Sequence, residues 1–228
     1  MNGSAEMREK VFYYLKRYAV LCVGLLIMAF GVAFSIKAGL GTSPISSLPY
    51  VVSILVEPLS VGTATIIMHC VFILLQIILL RRKYQWIQLI QLPVAIVFGY
   101  LTDFGVWAID SIPVPNYFVQ WVLCIVGVIL VGIGVSFEVT ANVVTLAGEG
   151  LILAICKVTP IKFPTMKVIF DVALVIIAVV VSLIFLRRVE GVREGTLAAA
   201  IFTGLTAKVV NIPMKKFADK FLALPETS

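Results

Sequence analysis

A short segment near the amino terminus combines glycines with hydroxyl side chains in a pattern that suits the binding of a small polar or anionic solute. Gly39 and Gly41 free the backbone, Ser43 can cap a helix, and Pro44 fits the first turn of that helix. A helix start within the membrane presents unpaired N–H groups and a positive dipole end. The alternative is an ordinary capped helix at the membrane surface. The hydroxyls predicted to line the site belong to Thr42, Ser43, Ser46 and Ser47.

A second segment, 103 residues further along the chain, carries Glu149 where the first carries Ser46. Glu149 stands between two glycines and precedes an apolar run. A carboxylate in apolar surroundings is costly unless it pairs with a cation or lines a polar cavity. We predict that it lines a solute pocket, the alternative being an interfacial glutamate that helps a helix to begin. The residues predicted to bind solute from this segment are Asn142, Thr145 and Glu149.

Ionisable residues also interrupt the long apolar runs, where each one is a functional hypothesis. His69, the only histidine, can titrate near neutral pH and couple a proton to transport, although a lone histidine also commonly bonds a neighbouring helix. Asp103 is a candidate partner for Lys208, the alternative being that Lys208, near the end of its helix, snorkels to water. Asp171 is predicted to pair with Lys167, one helical turn away.

Arg193 precedes the last apolar run, where it either caps the helix or contributes to a solute site near one membrane face. Enzymatic motifs are absent from the sequence: it contains no HExxH, no GxxxxGK[ST] and no GxSxG. We therefore predict no catalytic residues, no metal site, no cofactor and no enzyme activity.

The composition excludes a soluble globule, because 61% of the residues are hydrophobic and only 13% are charged. A soluble domain carries about a quarter charged residues. The net charge of +6 does not point to a nucleic-acid partner, since the basic residues form short clusters beside apolar runs. Such clusters anchor and orient membrane spans. The lipid bilayer is therefore the first predicted partner.

The apolar runs predict an all-α polytopic membrane protein with six long transmembrane helices. Between them lie two shorter segments rich in Gly, Pro, Ser and Thr, which predict half-helices or re-entrant elements. The long runs are 18–36, 58–80, 85–109, 111–137, 168–186 and 195–212, and the short segments are 42–56 and 145–156.

An internal repeat divides the chain into two halves. Residues 31–38 match 134–141 at a constant separation of 103, and one long run, one short segment and two long runs recur in that order. We predict one membrane domain made of a first half, 18–110, and a second half, 111–212. The flanking segments are a basic amino-terminal segment, 1–17, and a basic tail, 213–228.

The short segments decide the relation between the halves: the halves are inverted if these segments do not cross the membrane, and parallel if they do. Non-crossing segments leave only Lys37, Arg187, Arg188 and Arg193, out of 18 Lys and Arg, on the outer side. Crossing segments would also move 81–83 outside. The positive-inside rule therefore predicts inverted halves and a cytoplasmic amino terminus.

Four motifs carry a resemblance to a known family: Gly-Leu-Gly-Thr-Ser-Pro at 39–44, Gly-Glu-Gly-Leu at 148–151, Gly-Val-Arg-Glu-Gly-Thr at 191–196 and Phe-Asp-Val at 170–172. With these, the chain resembles the YczE/YyaS/YitT-type family of bacterial integral membrane proteins. The resemblance implies a multi-pass protein of the bacterial inner membrane, and it supplies no substrate and no binding residues.

Our leading hypothesis is a secondary transporter of a small polar or anionic solute, bound at the half-helix starts between the two halves. A passive channel is one alternative. Another is a non-transporting membrane protein that regulates or scaffolds a partner. Glycine-rich spans such as 126–134 can pack helices within one chain or between the copies of a homo-oligomer.

Overall fold

A computed structural model describes residues 2–222, and within this range the chain forms eight α-helices and no strand. Two short 3-10 turns, Arg81–Lys83 and Trp86–Ile90, join the third helix to the fourth. The helices are α1 Asn2–Ala38, α2 Pro44–Leu55, α3 Val61–Leu80, α4 Gln91–Ala108, α5 Tyr117–Ala141, α6 Ala147–Val158, α7 Phe163–Leu186 and α8 Glu194–Phe221.

Six of the described helices, α1, α3, α4, α5, α7 and α8, are long and apolar enough to cross a membrane. The predicted class, an all-α protein with six long apolar helices, is therefore confirmed. The two predicted short segments form α2 and α6, with 12 residues each. At 1.5 Å per residue such a helix is about 18 Å long, which is less than the roughly 30 Å thickness of the hydrocarbon core.

Capping residues explain why some helix bounds differ from the apolar runs. The run 58–80 becomes helical only at Val61, because the Ser60 side chain accepts a hydrogen bond from the Thr63 N–H and caps α3. The helix predicted from Ser111 begins at Tyr117, since Asn116 caps α5 through the Val119 N–H.

The two flanking segments lie partly within the terminal helices. The described part of the basic amino-terminal segment 1–17 belongs to α1, which begins at Asn2. The tail 213–228 continues α8 as far as Phe221, and its residues 223–228 lie outside the described residues.

Helices α1 and α5 form the centre of the bundle and run antiparallel. Gly24 packs against Gly134. Gly31, about two turns further along α1, packs against Gly127, about two turns further back along α5. A Cβ atom at Gly31 would lie 2.6 Å from the Val131 backbone nitrogen. These glycines therefore allow the two backbones to approach each other closely.

Four helix contacts follow the order of the two predicted halves. α4 lies along α1, α8 lies along α5, α2 packs against α7, and α6 packs against α3. The α1–α4 pair is parallel, because Gly105 lies beside Ala29 and, further along both helices, Lys37 reaches Asp110. One pair breaks the pattern: within residues 2–222, α3 packs along α4, whereas α7 has no extensive contact with α8.

The bundle has two ends, which we call the amino-terminal face and the opposite face. The amino-terminal face holds the start of α1 and the ends of α5 and α8, because Arg17 donates hydrogen bonds to the carbonyls of Ala141 (2.9 Å) and Leu222 (3.3 Å). The opposite face holds the ends of α1 and α4, where Lys37 and Asp110 form an ion pair.

Candidate functional site

The starts of α2 and α6 meet inside the bundle. Ile45, in the first turn of α2, packs closely on Gly148, in the first turn of α6, and a Cβ atom at position 148 would displace the end of the Ile45 side chain. Ile45 also lines a cavity together with Met28 and Val131, which lie well inside α1 and α5. The two half-helices therefore begin in the interior of the bundle, away from both faces.

A small cavity of about 40 Å³, which we call the central chamber, lies where these helix starts meet. By the usual space requirement of a buried water, it has room for about two or three water molecules. Its polar side chains are Ser43, Ser46, Thr65 and His69, all less than one-tenth exposed. The full lining consists of Met28, Val32, Ser43, Ile45, Ser46, Thr65, Met68, His69, Phe98, Val131 and Leu146.

The polar groups of the chamber are only partly bonded to one another. Ser43 donates its hydroxyl proton to Ser46 Oγ at 3.0 Å, and its side chain makes no capping bond to α2. Thr65 donates to the Val61 carbonyl at 2.8 Å. His69 is only 1% exposed, and within the described chain its buried Nδ1 has no hydrogen-bond partner.

The other two predicted hydroxyls of this segment lie outside the chamber. Thr42 is tied to the α7–α8 connection, since its N–H donates to the Gly191 carbonyl at 3.0 Å. Ser47 donates to the Pro44 carbonyl at 2.7 Å within α2. The predicted group of four hydroxyls is thus divided, and Ser43 and Ser46 are the pair that lines the chamber.

A larger cavity of about 670 Å³, which we call the vestibule, lies beside the amino-terminal face. It contains two residues predicted from the second short segment, Asn142 and Thr145. Asn142 ends α5 in the left-handed conformation, with φ 47°, and its side chain is exposed. The lining consists of Tyr14, Tyr18, Ile87, Gln88, Ile90, Gln91, Glu138, Val139, Asn142, Val143, Val144 and Thr145.

Glu138 lines the vestibule and was not among the predicted site residues. It is 2% exposed, and its Oε1 accepts a hydrogen bond of 2.7 Å from the backbone N–H of Leu146, the residue that caps α6. Leu146 in turn lines the central chamber. Glu138 lies one residue beyond the apolar run 111–137, which places it outside the predicted span, whereas α5 continues to Ala141.

Glu149 is half-buried and lies in neither lining. It is within electrostatic range of Lys167, Asp171 and Glu138. The predicted pair of Lys167 with Asp171 is confirmed, with Nζ and Oδ1 2.9 Å apart. Glu149 and Asp171 therefore belong to a charged group beside the start of α7.

Two buried glutamine side chains join the starts of α4 and α6 to α3. Gln76 Nε2 donates to Gln91 Oε1 at 3.0 Å and to the Ala147 carbonyl at 3.1 Å. Gln76 is 1% exposed and Gln91 is 4% exposed. This bonded pair fixes the start of α6 next to α3.

The remaining predicted residues lie toward the opposite face. Asp103 accepts hydrogen bonds from Ser60 Oγ at 2.6 Å and from the Gly62 N–H at 2.7 Å, which stabilises the start of α3. The predicted pair of Asp103 with Lys208 is wrong: among the described residues no ion pair joins them, and Lys208 is exposed on α8.

Arg193 caps α8 and donates from Nη1 to the Gly39 carbonyl at 2.9 Å. It also pairs with Glu194 at 3.1 Å, so it holds the start of α8 to the end of α1 and lies outside both cavities. Among the residues 2–222, no cluster of three His, Cys, Asp or Glu side chains is arranged to hold a metal ion.

Comparison with known proteins gives a family. Residues 15–212 match a family of unknown function, DUF6198. The chain is also 26% identical over 121 residues to the uncharacterized protein YyaS of Bacillus subtilis (strain 168). That alignment covers 53% of this chain and 58% of the relative, so the chain spans less than two thirds of the relative's length. No solved structure matches. The chain belongs to the DUF6198 family, and its resemblance to YyaS-type proteins is confirmed.

Proposed function

We propose that this member of the DUF6198 family is a secondary transporter of a small polar or anionic solute, which binds in the central chamber. One observation carries the proposal: the starts of two half-helices meet at His69 in the interior of a bundle of long apolar helices. Interrupted helices whose ends meet at mid-depth are a recurring way in which secondary transporters hold a solute.

The groups around the chamber suit a solute that accepts hydrogen bonds. The α2 start offers the positive end of its helix dipole, and Ser43 and Ser46 add hydroxyls. Buried polar atoms in native proteins normally have partners. The orphaned Nδ1 of His69 would gain a partner when a solute or a water molecule occupies the chamber.

The two ends of the chamber region differ in electrostatic character. The carboxylate of Glu138 already holds the Leu146 N–H at the α6 start. An anionic solute is therefore expected to contact the α2 side of the chamber, where Ser43 and Ser46 lie, and to avoid the side that faces Glu138.

An inverted relation between the halves is part of the proposal. It is supported by the antiparallel contact of α1 with α5, by the parallel contact of α1 with α4, and by the short length of α2 and α6. Rocking of one half against the other would then expose the chamber first to one face and then to the other.

The amino-terminal face is proposed to be cytoplasmic, in a bacterial inner membrane. With short segments that do not cross, all but four of the 18 Lys and Arg residues are assigned to this face. The four that remain are Lys37, Arg187, Arg188 and Arg193. The positive-inside rule gives this orientation.

Uptake by the purified protein in liposomes tests the proposal. A panel of inorganic anions and small carboxylates is offered at several concentrations, and the transported species should enter with a rate that saturates. Ser46→Ala should abolish or strongly reduce this uptake. Ser53→Ala is the matched control, because Ser53 lies on the same helix, donates to Tyr50 at 2.8 Å and is outside the chamber. A rate that rises linearly with concentration would instead indicate a passive channel.

A further inference from the structure

We infer that the vestibule is a second binding site, and that it takes an organic ammonium ion, a protonated amine on a small apolar body. The vestibule is a different cavity from the chamber and lies beside the amino-terminal face. The inference does not depend on transport, since it rests on the size, the apolar wall and the charge of the vestibule itself.

The size and the wall of the vestibule fit a small organic molecule. Its volume of about 670 Å³ falls within the roughly 300–1,000 Å³ range of small-molecule sites. Such sites have a mostly apolar wall with a few placed polar groups. The apolar part of this wall consists of Ile87, Ile90, Val139, Val143 and Val144.

The acidic side chain in the lining of the vestibule favours a cationic ligand. Glu138 is the only Asp, Glu, Lys or Arg among the described lining residues, and it is buried. A buried carboxylate is costly without a positive partner. Arg17 does not supply one, because its guanidinium bonds the Ala141 and Leu222 carbonyls and lines a neighbouring cavity.

A second cation near Glu138 also has another partner. Lys167 is within electrostatic range of Glu138, but its Nζ lies 2.9 Å from Asp171. The carboxylate of Glu138 faces the vestibule without an ion pair in the described chain. A bound ammonium group would provide that partner through a charge-assisted hydrogen bond.

Two other features of the lining favour a donor with a positive charge. Within the part of the chain that the structure describes, the buried Oε1 of Gln88 has no hydrogen-bond partner, so it is ready to accept from an N–H. Tyr14 and Tyr18 place aromatic rings in the lining. Aromatic rings attract ammonium groups through cation–π interactions.

Calorimetric titration of the full chain in a non-ionic detergent tests the inference. The two probes are 2-phenylethylammonium and the neutral 2-phenylethanol, which have nearly the same shape. The wild-type protein should bind the ammonium probe more tightly. Glu138→Gln keeps an acceptor for the Leu146 N–H, and it should weaken ammonium binding about tenfold or more, as expected for loss of a charge-assisted bond. The affinity for 2-phenylethanol should stay the same.

Two further variants keep the test decisive if Glu138→Gln folds poorly. Asn142→Asp adds a carboxylate to the lining at an exposed position whose left-handed backbone Asp tolerates, and it should tighten ammonium binding several-fold. Asp110→Asn removes one negative charge at the opposite face and should change nothing.

Equal binding of the two probes by the wild-type protein, or no ammonium binding at all, would overturn the inference. Unchanged ammonium affinity in both Glu138→Gln and Asn142→Asp would do the same. These results are separable from failure of the chamber site, because Ser46→Ala alters the chamber and leaves the vestibule lining intact.

Discussion

The carboxylate of Glu138 accepts a hydrogen bond of 2.7 Å from the backbone N–H of Leu146. One of these residues lines the vestibule and the other lines the central chamber. This hydrogen bond therefore connects the end of α5 to the start of α6, and it links the linings of the two cavities. A change in this hydrogen bond is expected to affect the stability of the protein and the access of the solute to the central chamber.

Loss of this acceptor should destabilise the protein. Glu138→Ala leaves the buried Leu146 N–H unpaired, which costs about 1–3 kcal/mol, whereas Glu138→Gln retains an acceptor of the same length. Thermal unfolding in detergent should therefore show a clear decrease in Tm for Glu138→Ala and a much smaller one for Glu138→Gln. Equal decreases would show that the charge of Glu138, and not its hydrogen bond, stabilises the α6 start.

The second prediction concerns the glycine contact between α1 and α5. Gly31→Ala places a Cβ atom 2.6 Å from the Val131 nitrogen, and overpacking of this kind costs about 1–3 kcal/mol. Gly204→Ala is the control, because a Cβ atom there meets nothing within 4 Å. An exposed Gly→Ala change in a helix is favourable by up to about 1 kcal/mol. Unfolding by a denaturing detergent should therefore separate the two variants in opposite directions.

The third prediction concerns the buried pair of Gln76 and Gln91. Gln76→Leu removes the donor to Gln91 and to the Ala147 carbonyl, so it should lower stability by about 1–3 kcal/mol. The double variant Gln76→Leu/Gln91→Leu should be less destabilised than the sum of the two single variants, because it no longer leaves the Gln91 side chain unpaired. Additive effects in this double-mutant cycle would contradict the coupling.

The ion pair of Lys167 with Asp171 should contribute little. Both side chains are partly exposed, and pairs of this kind contribute about 0–1 kcal/mol. Asp171→Asn should consequently leave the Tm nearly unchanged. A large decrease in Tm would contradict this expectation. It would mean that Asp171 interacts with the whole charged group around Glu149 and not only with Lys167.

Much of the helical architecture could be predicted from the sequence. The six long helices follow from runs of apolar residues, and the start of the short helix α2 follows from the glycines before it and from Pro44 in its first turn. The pair of Lys167 with Asp171 was predictable for the same reason, since residues four apart share one helix face.

The composition of the site depended on tertiary packing and was less predictable. Ser43 and Ser47 stand in the same short segment, but only Ser43 faces the chamber, because the Ser47 hydroxyl donates to a carbonyl of its own helix. Asp103 on α4 and Lys208 on α8 lie apart, because α4 packs along α1 and α8 packs along α5, with no extensive contact between α4 and α8 among the described residues. Glu138 was missed because the end of α5 was placed by charge, whereas the helix continues past it.

In the proposed function, the central chamber between the two half-helix starts binds the transported solute. The most direct test is the thermal stability of the purified protein against a panel of inorganic anions and small polar metabolites. A ligand present at 100 times its Kd should add about 2.7 kcal/mol to the stability of the folded state. We expect at least one stabilising solute, whose effect disappears in Ser46→Ala and His69→Gln and persists in Ser53→Ala. A solute that stabilises all of these variants equally, or a broad panel that leaves the folded wild-type protein unaffected, would contradict it.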